Sequence, residues 1–515
     1  MSNQRKHRSF KKLLPSMLVL GVAVSALGAC GDDDEPTPTP DAGTQTDAGT
    51  NTDAGTNTDA GTDAGTSTDA GTDAGTATTP DTDLAFVRLN TNGTVDNTFG
   101  TSGNGIARVS LGTGAGTVRD AIWSADRDAQ NRLVVFATKK AEGTRTDTDR
   151  VIARLTAEGA LDETFNAGAV APARKGMYWL DIGGLGDSAR HGFVQADGKI
   201  LSAGYLNQPT GVGAQSANRI VLLRLNEAGT VDATFGSKGV VNSAPFATND
   251  ATKEWGISEA YAAVPQSTGS YVTTGYGRAA GVSGSTVDLI SFRYTAAGVL
   301  DPTYGTNGAF ILDLAGDNDR GRDAVALKDD GVFMVGSGTP TAGNIQALAV
   351  QVTRDGQPAT TPGYTEGYKL YDFERPDEAF FDVAQAEIGD AEYVAAAGYR
   401  AGGGEDDDAV LLIRNVTTGT EFAGAVPFSE TTNDRFWGVN FGLDGKVYAT
   451  GFVTEGGDNR FAIARFNLDG TRDATFGTGG IVTVNVIAGK LDEAARSVVI
   501  QSDGKIVIAG AAEAQ

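Results

Sequence analysis

From residue 83 onward, short apolar runs alternate with polar, glycine-bearing turns, and the same order of runs returns seven times. One run ends in Arg, then an apolar residue, then Asn or Thr: FVRLN at 86–90, IARLT at 152–156, LLRLN at 222–226, SFRYT at 291–295 and IARFN at 463–467. LIRNV at 412–416 is a close variant and AVQVT at 349–353 a divergent one. Such continuous runs read as strands buried on both faces. Two further runs flank a tight turn, clearest in SVVIQSDGKIVIAG at 497–510 and repeated at 192–204, 324–336 and 438–451. An Asp-Gly pair between apolar runs predicts a β-hairpin with both central residues at positive φ. A Gly-Ile or Gly-Val run, as at 480–484, supplies a fourth strand, and no useful length of the chain carries the period of an amphipathic helix.

A unit of this size cannot bury its apolar face alone and must stack on its neighbours. Four-stranded units in tandem therefore predict an all-β fold, a seven-bladed β-propeller of four-stranded antiparallel blades. The array opens in mid-unit, at 84–110, and ends on the hairpin at 497–510, so pairing of the first and last segments would complete a blade and hide its edges. A β-solenoid is the competing fold, but it calls for tighter spacing and capping segments.

Within the units, five copies place an Asp eight residues after the Arg (Asp96, Asp162, Asp232, Asp301 and Asp473), and Phe or Tyr follows three residues later. These acids read as ligands, or else as turn caps that meet the Arg while Phe99, Phe165, Phe235, Tyr304 and Phe476 fill a pocket between units. Repetition favours the second reading, because packing is needed in every unit and chemistry only once.

The first 82 residues differ in kind. Arg5, Lys6, Arg8, Lys11 and Lys12 precede an apolar stretch that ends in Leu27-Gly28-Ala29-Cys30, which resembles the lipobox of bacterial lipoproteins. That resemblance makes 1–29 a signal peptide and Cys30, the only cysteine, the lipidation site. Residues 30–82 carry seven copies of Asp-Ala-Gly-Thr and no Lys, Arg or aromatic residue, so they read as a disordered tether spanning roughly 40 Å. The 83–515 segment is then the repeat domain. With 41 Lys+Arg against 65 Asp+Glu, the net charge is −24, which argues against nucleic acid as a partner.

The repeat itself, Arg-[Leu/Phe]-Asn-x-x-Gly-x-x-Asp-x-Thr-Phe-Gly followed by Gln-x-Asp-Gly-Lys-Ile-x-x-x-Gly, resembles the delta-60 repeat found in secreted and surface proteins of myxobacteria and relatives. The resemblance covers 83–510, weakest in units five and six, and implies repeat architecture and a surface location. It brings no activity and no catalytic residues.

Candidate chemistry is sparse. His191 is the only histidine after the leader, so triads and zinc sites lack material, and no catalytic residue, metal site or cofactor is expected. Asp317-Asn318-Asp319 and 405–408 are the densest acidic clusters and read as solvated loops. Counting seven residues back from the hairpin Asp (Asp126, Asp197, Asp329, Asp503) lands on Arg119, Arg190, Arg322 and Arg496, which would ring one channel mouth with His191 and Trp437 nearby. That ring is the candidate site for carboxylate, sulfate or phosphate groups, unless each Arg is spent on a neighbouring acid. Taken together, the sequence describes a monomeric, lipid-anchored envelope protein of the outer membrane, periplasmic or surface-exposed. Its role reads as binding or scaffolding toward a protein or saccharide. The other readings are an extracellular carbohydrate-active hydrolase or lyase, and a structural coat protein.

Overall fold

The computed structural model describes residues 81–112, 120–140, 145, 147–170, 173–210, 216–248, 250, 253, 256–282, 286–314, 317–487 and 493–513. The lipobox with Cys30, the tether up to residue 80 and Arg119 lie outside the described residues, and β1 begins at Thr82, inside the segment read as tether. The elements assigned among the described residues are all β-strands.

The chain opens with β1 (Thr82–Leu89) and β2 (Ile106–Val109). One sheet follows from β3 (Asp120–Arg127), β4 (Leu133–Lys140), β5 (Thr148–Leu155) and β6 (Met177–Leu180). The next runs through β7 (Asp187–Val194), β8 (Ile200–Pro209), β9 (Ser216–Leu225) and β10 (Val240–Ser243). After it come β11 (Ile257–Pro265), β12 (Tyr271–Arg278), β13 (Asp288–Tyr294) and β14 (Phe310–Leu312). An eight-stranded sheet joins β15 (Arg320–Ala326), β16 (Val332–Thr341), β17 (Asn344–Val352) and β18 (Tyr368–Tyr371) to β19 (Asp377–Ile388), β20 (Ala391–Ala401), β21 (Asp408–Asn415) and β22 (Glu421–Ala425). Its halves meet at a single parallel pairing, Ile345 with Asp377, and each half is a four-stranded antiparallel meander. Last come β23 (Asp434–Phe441), β24 (Val447–Glu455), β25 (Asp458–Phe466), β26 (Ile481–Val484), β27 (Ala494–Ile500) and β28 (Ile506–Glu513). The final hairpin pairs with the first strands in the order β2-β1-β28-β27, with Thr82 opposite Glu513 and Leu89 opposite Ile506. No sheet closes on itself.

The first strand of each unit packs against the first strand of the next: β3 on β7, β7 on β11, β11 on β15, β15 on β19, β19 on β23, β23 on β27, and β27 on β3. Between these sheets lie separate apolar layers, such as Phe86, Val135, Val151 and Val507 in one and Leu201, Leu222, Ile290 and Phe292 in another. The third strand carries the Arg motif and is buried on both faces, as its unbroken apolar run requires.

The Arg and Asp of that motif form a clasp. Arg88 Nε donates to Asp96 Oδ2 at 2.8 Å, and its guanidinium lies 4.8 Å from the Phe99 ring. The same Arg donates to the carbonyl of Ala157 in the next unit's turn at 2.7 Å. Arg154 reaches the Glu227 carbonyl, Arg224 that of Ala296, Arg293 that of Arg354, and Arg465 that of Thr91, which links the last unit to the first. Turn glycines complete the contact: a Cβ on Gly159, at φ +89°, would stand 2.6 Å from the Phe99 ring. Burial alone would raise the Asp96 carboxyl, but hydrogen bonds from Lys505 and Thr98 and the charge of Arg88 hold it well below the usual carboxylate range. The repeated acids are therefore structural. Units five and six improvise: Gln351 replaces the Arg, and Arg414 pairs with Glu421 and reaches back to the Pro362 carbonyl beside Tyr364.

Two expectations need correction. In these hairpins one residue, not two, adopts positive φ: Gly198 at +80°, Gly445 at +71° and Gly504 at +82°, and in the 324–336 hairpin Asp330 at +64° rather than Gly331. Gly504 N–H bonds to the Gln501 carbonyl and Gln501 N–H to that of Lys505, so this is a longer turn ending in a left-handed residue rather than a two-residue loop. The acidic clusters are not solvated throughout either. Asp319 is fully buried and accepts the N–H groups of Leu314 and Thr339, and Asp408 is ion-paired with Arg400.

Candidate functional site

Each first strand breaks register against its hairpin partner at one place. The breaks fall at Trp123, Arg190, Tyr261, Arg322, Phe381, Trp437 and Arg496, the residues left unpaired between flanking partners. A β-bulge of this kind re-aims the extra side chain. In six of the seven units a glycine on the second strand faces the bulge, and a Cβ on Gly336 or Gly510 would lie 1.8 or 2.0 Å from the carbonyl oxygen of Arg320 or Ala494; in the first unit Ala137 holds that place.

The seven bulge residues line one cavity of about 560 Å³, to which all seven first strands contribute. They form a collar in which each Arg stands between two aromatic rings. Arg190 lies 4.0 Å from Trp123 and 4.6 Å from Tyr261. Arg322 lies 4.8 Å from Tyr261 and 5.3 Å from Phe381, and Arg496 lies 4.2 Å from Trp437 and 5.2 Å from Trp123. Where no Arg intervenes, Phe381 and Trp437 meet directly, with centroids 4.3 Å apart. Arg190 also forms a buried ion pair with Glu259 on β11, at 3.3 Å.

The next residue along each strand works differently. Apart from the single pairing of β19 with β17 at Asp377, the first strands have an edge with no strand beside it, so their N–H groups need acceptors from elsewhere. Ser124 Oγ accepts from Gly192, Ser497 Oγ from Ala125, Asp323 Oδ2 from Val383 and Asp382 Oδ2 from Val439. Each staple ties one unit to the next. At this level His191 Nε2 stands 3.8 Å from Asp323 Oδ1. Burial and the neighbouring carboxyl raise Asp382, and burial raises Asp323, which favours one proton held between them. Burial pushes the His191 imidazole down despite the nearby Asp382 and Asp126. Asp126 also lines the cavity, with its carboxyl raised by burial and accepting the Val194 N–H.

Of the residues expected at a channel mouth, Arg190, His191, Arg322, Trp437 and Arg496 all line this cavity. Arg119 lies outside the described residues, and Trp123 takes the equivalent place. The first unit's turn is Asp128–Arg132 rather than Asp126, with Asn131 at φ +61° where five other units have Gly and the fourth has Asp330, so seven residues back from Gln130 is Trp123. Tyr261 follows by the same count from Thr268. Phe381 follows in the same way from Ile388, the residue before Gly389 at φ +62°.

A family model described as "Domain of unknown function (DUF5122) beta-propeller" matches residues 74–99, 195–235 and 443–476. No curated protein matches the chain. Among solved structures, the extracellular domain of the hybrid two component system BT4673 from B. thetaiotaomicron is similar at 7% identity and a TM-score of 0.35, covering 76% of this chain. The match spans 38% of that protein's length. A glucose dehydrogenase is similar at 10% identity and a TM-score of 0.36, over 68% of this chain and 99% of its own. Trypanosoma rangeli sialidase in complex with the inhibitor DANA is similar at 11% identity and a TM-score of 0.38, over 74% of this chain and 59% of its own. The described residues form a β-propeller domain of repeated four-stranded antiparallel units.

Proposed function

We propose that this domain is a seven-bladed propeller serving as a ligand-binding module, with its site in the collar cavity. Seven four-stranded groups, the cyclic packing of their first strands and the joining of β1 to β28 support the blade count and closure. The observation that carries the binding role is the collar: at one equivalent position the units present Trp, Arg, Tyr, Arg, Phe, Trp and Arg around a cavity of ligand size. Packing alone would repeat one residue there, as it does in the clasp. Lipidation at Cys30, the flexible tether and a place in the cell envelope complete the reading, and they rest on the lipobox and the Asp-Ala-Gly-Thr run. The delta-60 resemblance accords with it.

A thermal-shift screen of the full chain against sugars, nucleotides, small anions and divalent metals tests the binding role. The expected result is stabilisation by one ligand class that disappears in Arg322→Gln and Arg496→Gln. No shift with any class, or a shift that both variants retain, removes the cavity from consideration. Cys30→Ser tests the anchor separately: the variant should leave the membrane fraction, and unchanged membrane association refutes lipidation.

A further inference from the structure

Resting on that reading, we infer that the collar cavity takes an uncharged saccharide, held by two tiers of the wall with opposite hydrogen-bonding sense: donors at the collar, acceptors one residue further along the first strands. The charges of the wall exclude the simpler alternatives. Arg190 is ion-paired with the buried Glu259. Arg322 and Arg496 are likewise engaged within the protein, each flanked by two rings. Asp323 and Asp382 keep one proton between them, and burial pushes the His191 imidazole down, toward its neutral form. Guanidinium groups already in use leave no free charge for an anion, and a proton-sharing pair beside three arginines is a poor partner for a cation.

The collar tier favours ligand oxygens. Trp123 has Arg190 at 4.0 Å and Arg496 at 5.2 Å, and Tyr261 has Arg190 at 4.6 Å and Arg322 at 4.8 Å, the two arginines coming in each case from the units on either side. A ring flanked in this way has its faces taken and turns an edge to the cavity, and the edge is the electropositive part of an aromatic ring. Trp437 adds a full donor. It lines the cavity and is 5% exposed, and its indole Nε1–H is buried with no hydrogen-bond partner among the described residues. Such a donor is costly to leave unmade, and a sugar oxygen would meet it.

The next tier favours hydroxyl donors. Ser124, Asp323, Asp382 and Ser497 line the cavity, and each already accepts one backbone N–H from a neighbouring unit, which leaves lone pairs over. His191 Nε2 and Asp323 Oδ1, 3.8 Å apart, are close enough to share one hydroxyl group. An apolar ligand leaves this tier and the Trp437 donor unused, and a flat heterocycle needs open ring faces that the collar lacks. A compact molecule with hydroxyl and ring oxygens on all sides serves both tiers. A volume of about 560 Å³ accommodates one or two sugar rings. Arg322 and Arg496 act on such a ligand as positioning residues, through the rings they hold.

Isothermal titration of the full chain with D-glucose, D-galactose, D-mannose, maltose and cellobiose, and with D-glucuronate, D-galacturonate and adenosine, tests the assignment. At least one neutral sugar should bind saturably, about tenfold or more tighter than the uronates and adenosine. Its affinity should be the same in about 20 mM and about 500 mM NaCl, because an uncharged ligand carries nothing for salt to screen. Trp437→Phe keeps a ring but removes the donor, and Asp323→Asn keeps an oxygen for the Val383 N–H but turns its other acceptor into a donor. Each should lose about tenfold in affinity, with unfolding midpoints recorded to show that the variants are folded. Absence of saturable binding by every neutral sugar at about 10 mM overturns the assignment. So does equal or tighter binding of a uronate or of adenosine, a severalfold loss of affinity with salt, or wild-type affinity in both variants. If another ligand class stabilises the wild type in the screen but not Arg322→Gln or Arg496→Gln, the neutral sugar fails while the cavity keeps its role. If no class does, both fail.

Discussion

The clasp on the third strands and the collar on the first strands occupy equivalent places in successive units, yet they are written in opposite ways. At the clasp, Arg, Asp, Thr and an aromatic ring recur in five units with nearly the same geometry, the Arg-to-Asp contact staying between 2.8 and 3.1 Å. At the collar the backbone recurs, as a bulge in every first strand, while the side chain varies among Trp, Arg, Tyr and Phe. Identical chemistry at every unit holds the units together. Varied chemistry on an identical scaffold makes a surface that can distinguish ligands. The acid layer shows both habits: Ser and Asp make the same staple to a neighbouring N–H, but the Asp residues also bring titratable groups into the cavity, where the Ser residues do not.

The comparison breaks most severely at the joint between first and last units. Ending the chain at residue 493 removes β27 and β28, leaves β1 without its longest partner and takes one wall from the cavity. The expected outcome is loss of a single cooperative transition in denaturant, measured by circular dichroism, and aggregation through the open β1 edge.

Within the clasp, Arg154→Met strands a buried Asp162 carboxylate and should cost about 3–5 kcal/mol in urea unfolding. Wild-type stability would show the clasp to be ornamental. Gly510→Ala tests the link between hairpin and collar, because its Cβ would press on the Ala494 carbonyl at the bulge; a loss of about 1–3 kcal/mol is expected. Arg496→Gln should move stability least, about 1 kcal/mol from lost ring contacts, while abolishing the ligand-induced shift. A large stability loss with unchanged ligand response would reverse the division between clasp and collar.

A pH series sharpens the same contrast. Three residues before the bulge, Asp120, Asp187, Asp434 and Glu493 are buried carboxyls that accept backbone N–H groups from neighbouring strands and loops. Burial pushes Asp120 up to about 8 and the other three to about 7. Between about pH 4 and 7 the unfolded chain releases protons that the native one keeps, so stability falls as pH rises through that window. The clasp acids are held low and titrate below it, so they do not offset the fall. The unfolding midpoint should be several degrees higher at pH 5 than at pH 8, and Asp187→Asn or Asp434→Asn should flatten the slope. A flat or rising profile in the wild type contradicts the burial of these acids.

Much of this was legible in the residues. The apolar runs mark the four strands of each unit, and the Arg-to-Asp spacing marks the clasp, because both depend on contacts that every unit must make. The collar was legible in part, since counting back from Asp197, Asp329 and Asp503 finds Arg190, Arg322 and Arg496. It failed in the first unit because the turn there has no Gly and its Asp128 begins the loop rather than preceding a glycine. Tyr261 and Phe381 escaped the count because Thr268 and Ile388, not Asp, stand seven residues after them. Their role depends on a bulge that leaves no mark on its own strand, only a glycine on the partner strand, at Gly275 and Gly398. The buried acids were invisible for a different reason: a lone Asp at a strand start looks like any solvated loop residue until its N–H partners are in place.

The pairing of β1 with β28 also sets an order of events in time. During synthesis β1 emerges first and its partner last, so one edge of the opening strand stays unpaired until nearly all of the chain exists. The Arg465 bond to Thr91 must wait equally long. Contacts so distant along the chain repay their loop-closure entropy only on completion, so folding should end in a slow step that the final hairpin controls. A nascent chain stalled before residue 494 would carry an exposed, apolar strand edge, ready to pair with any similar edge nearby.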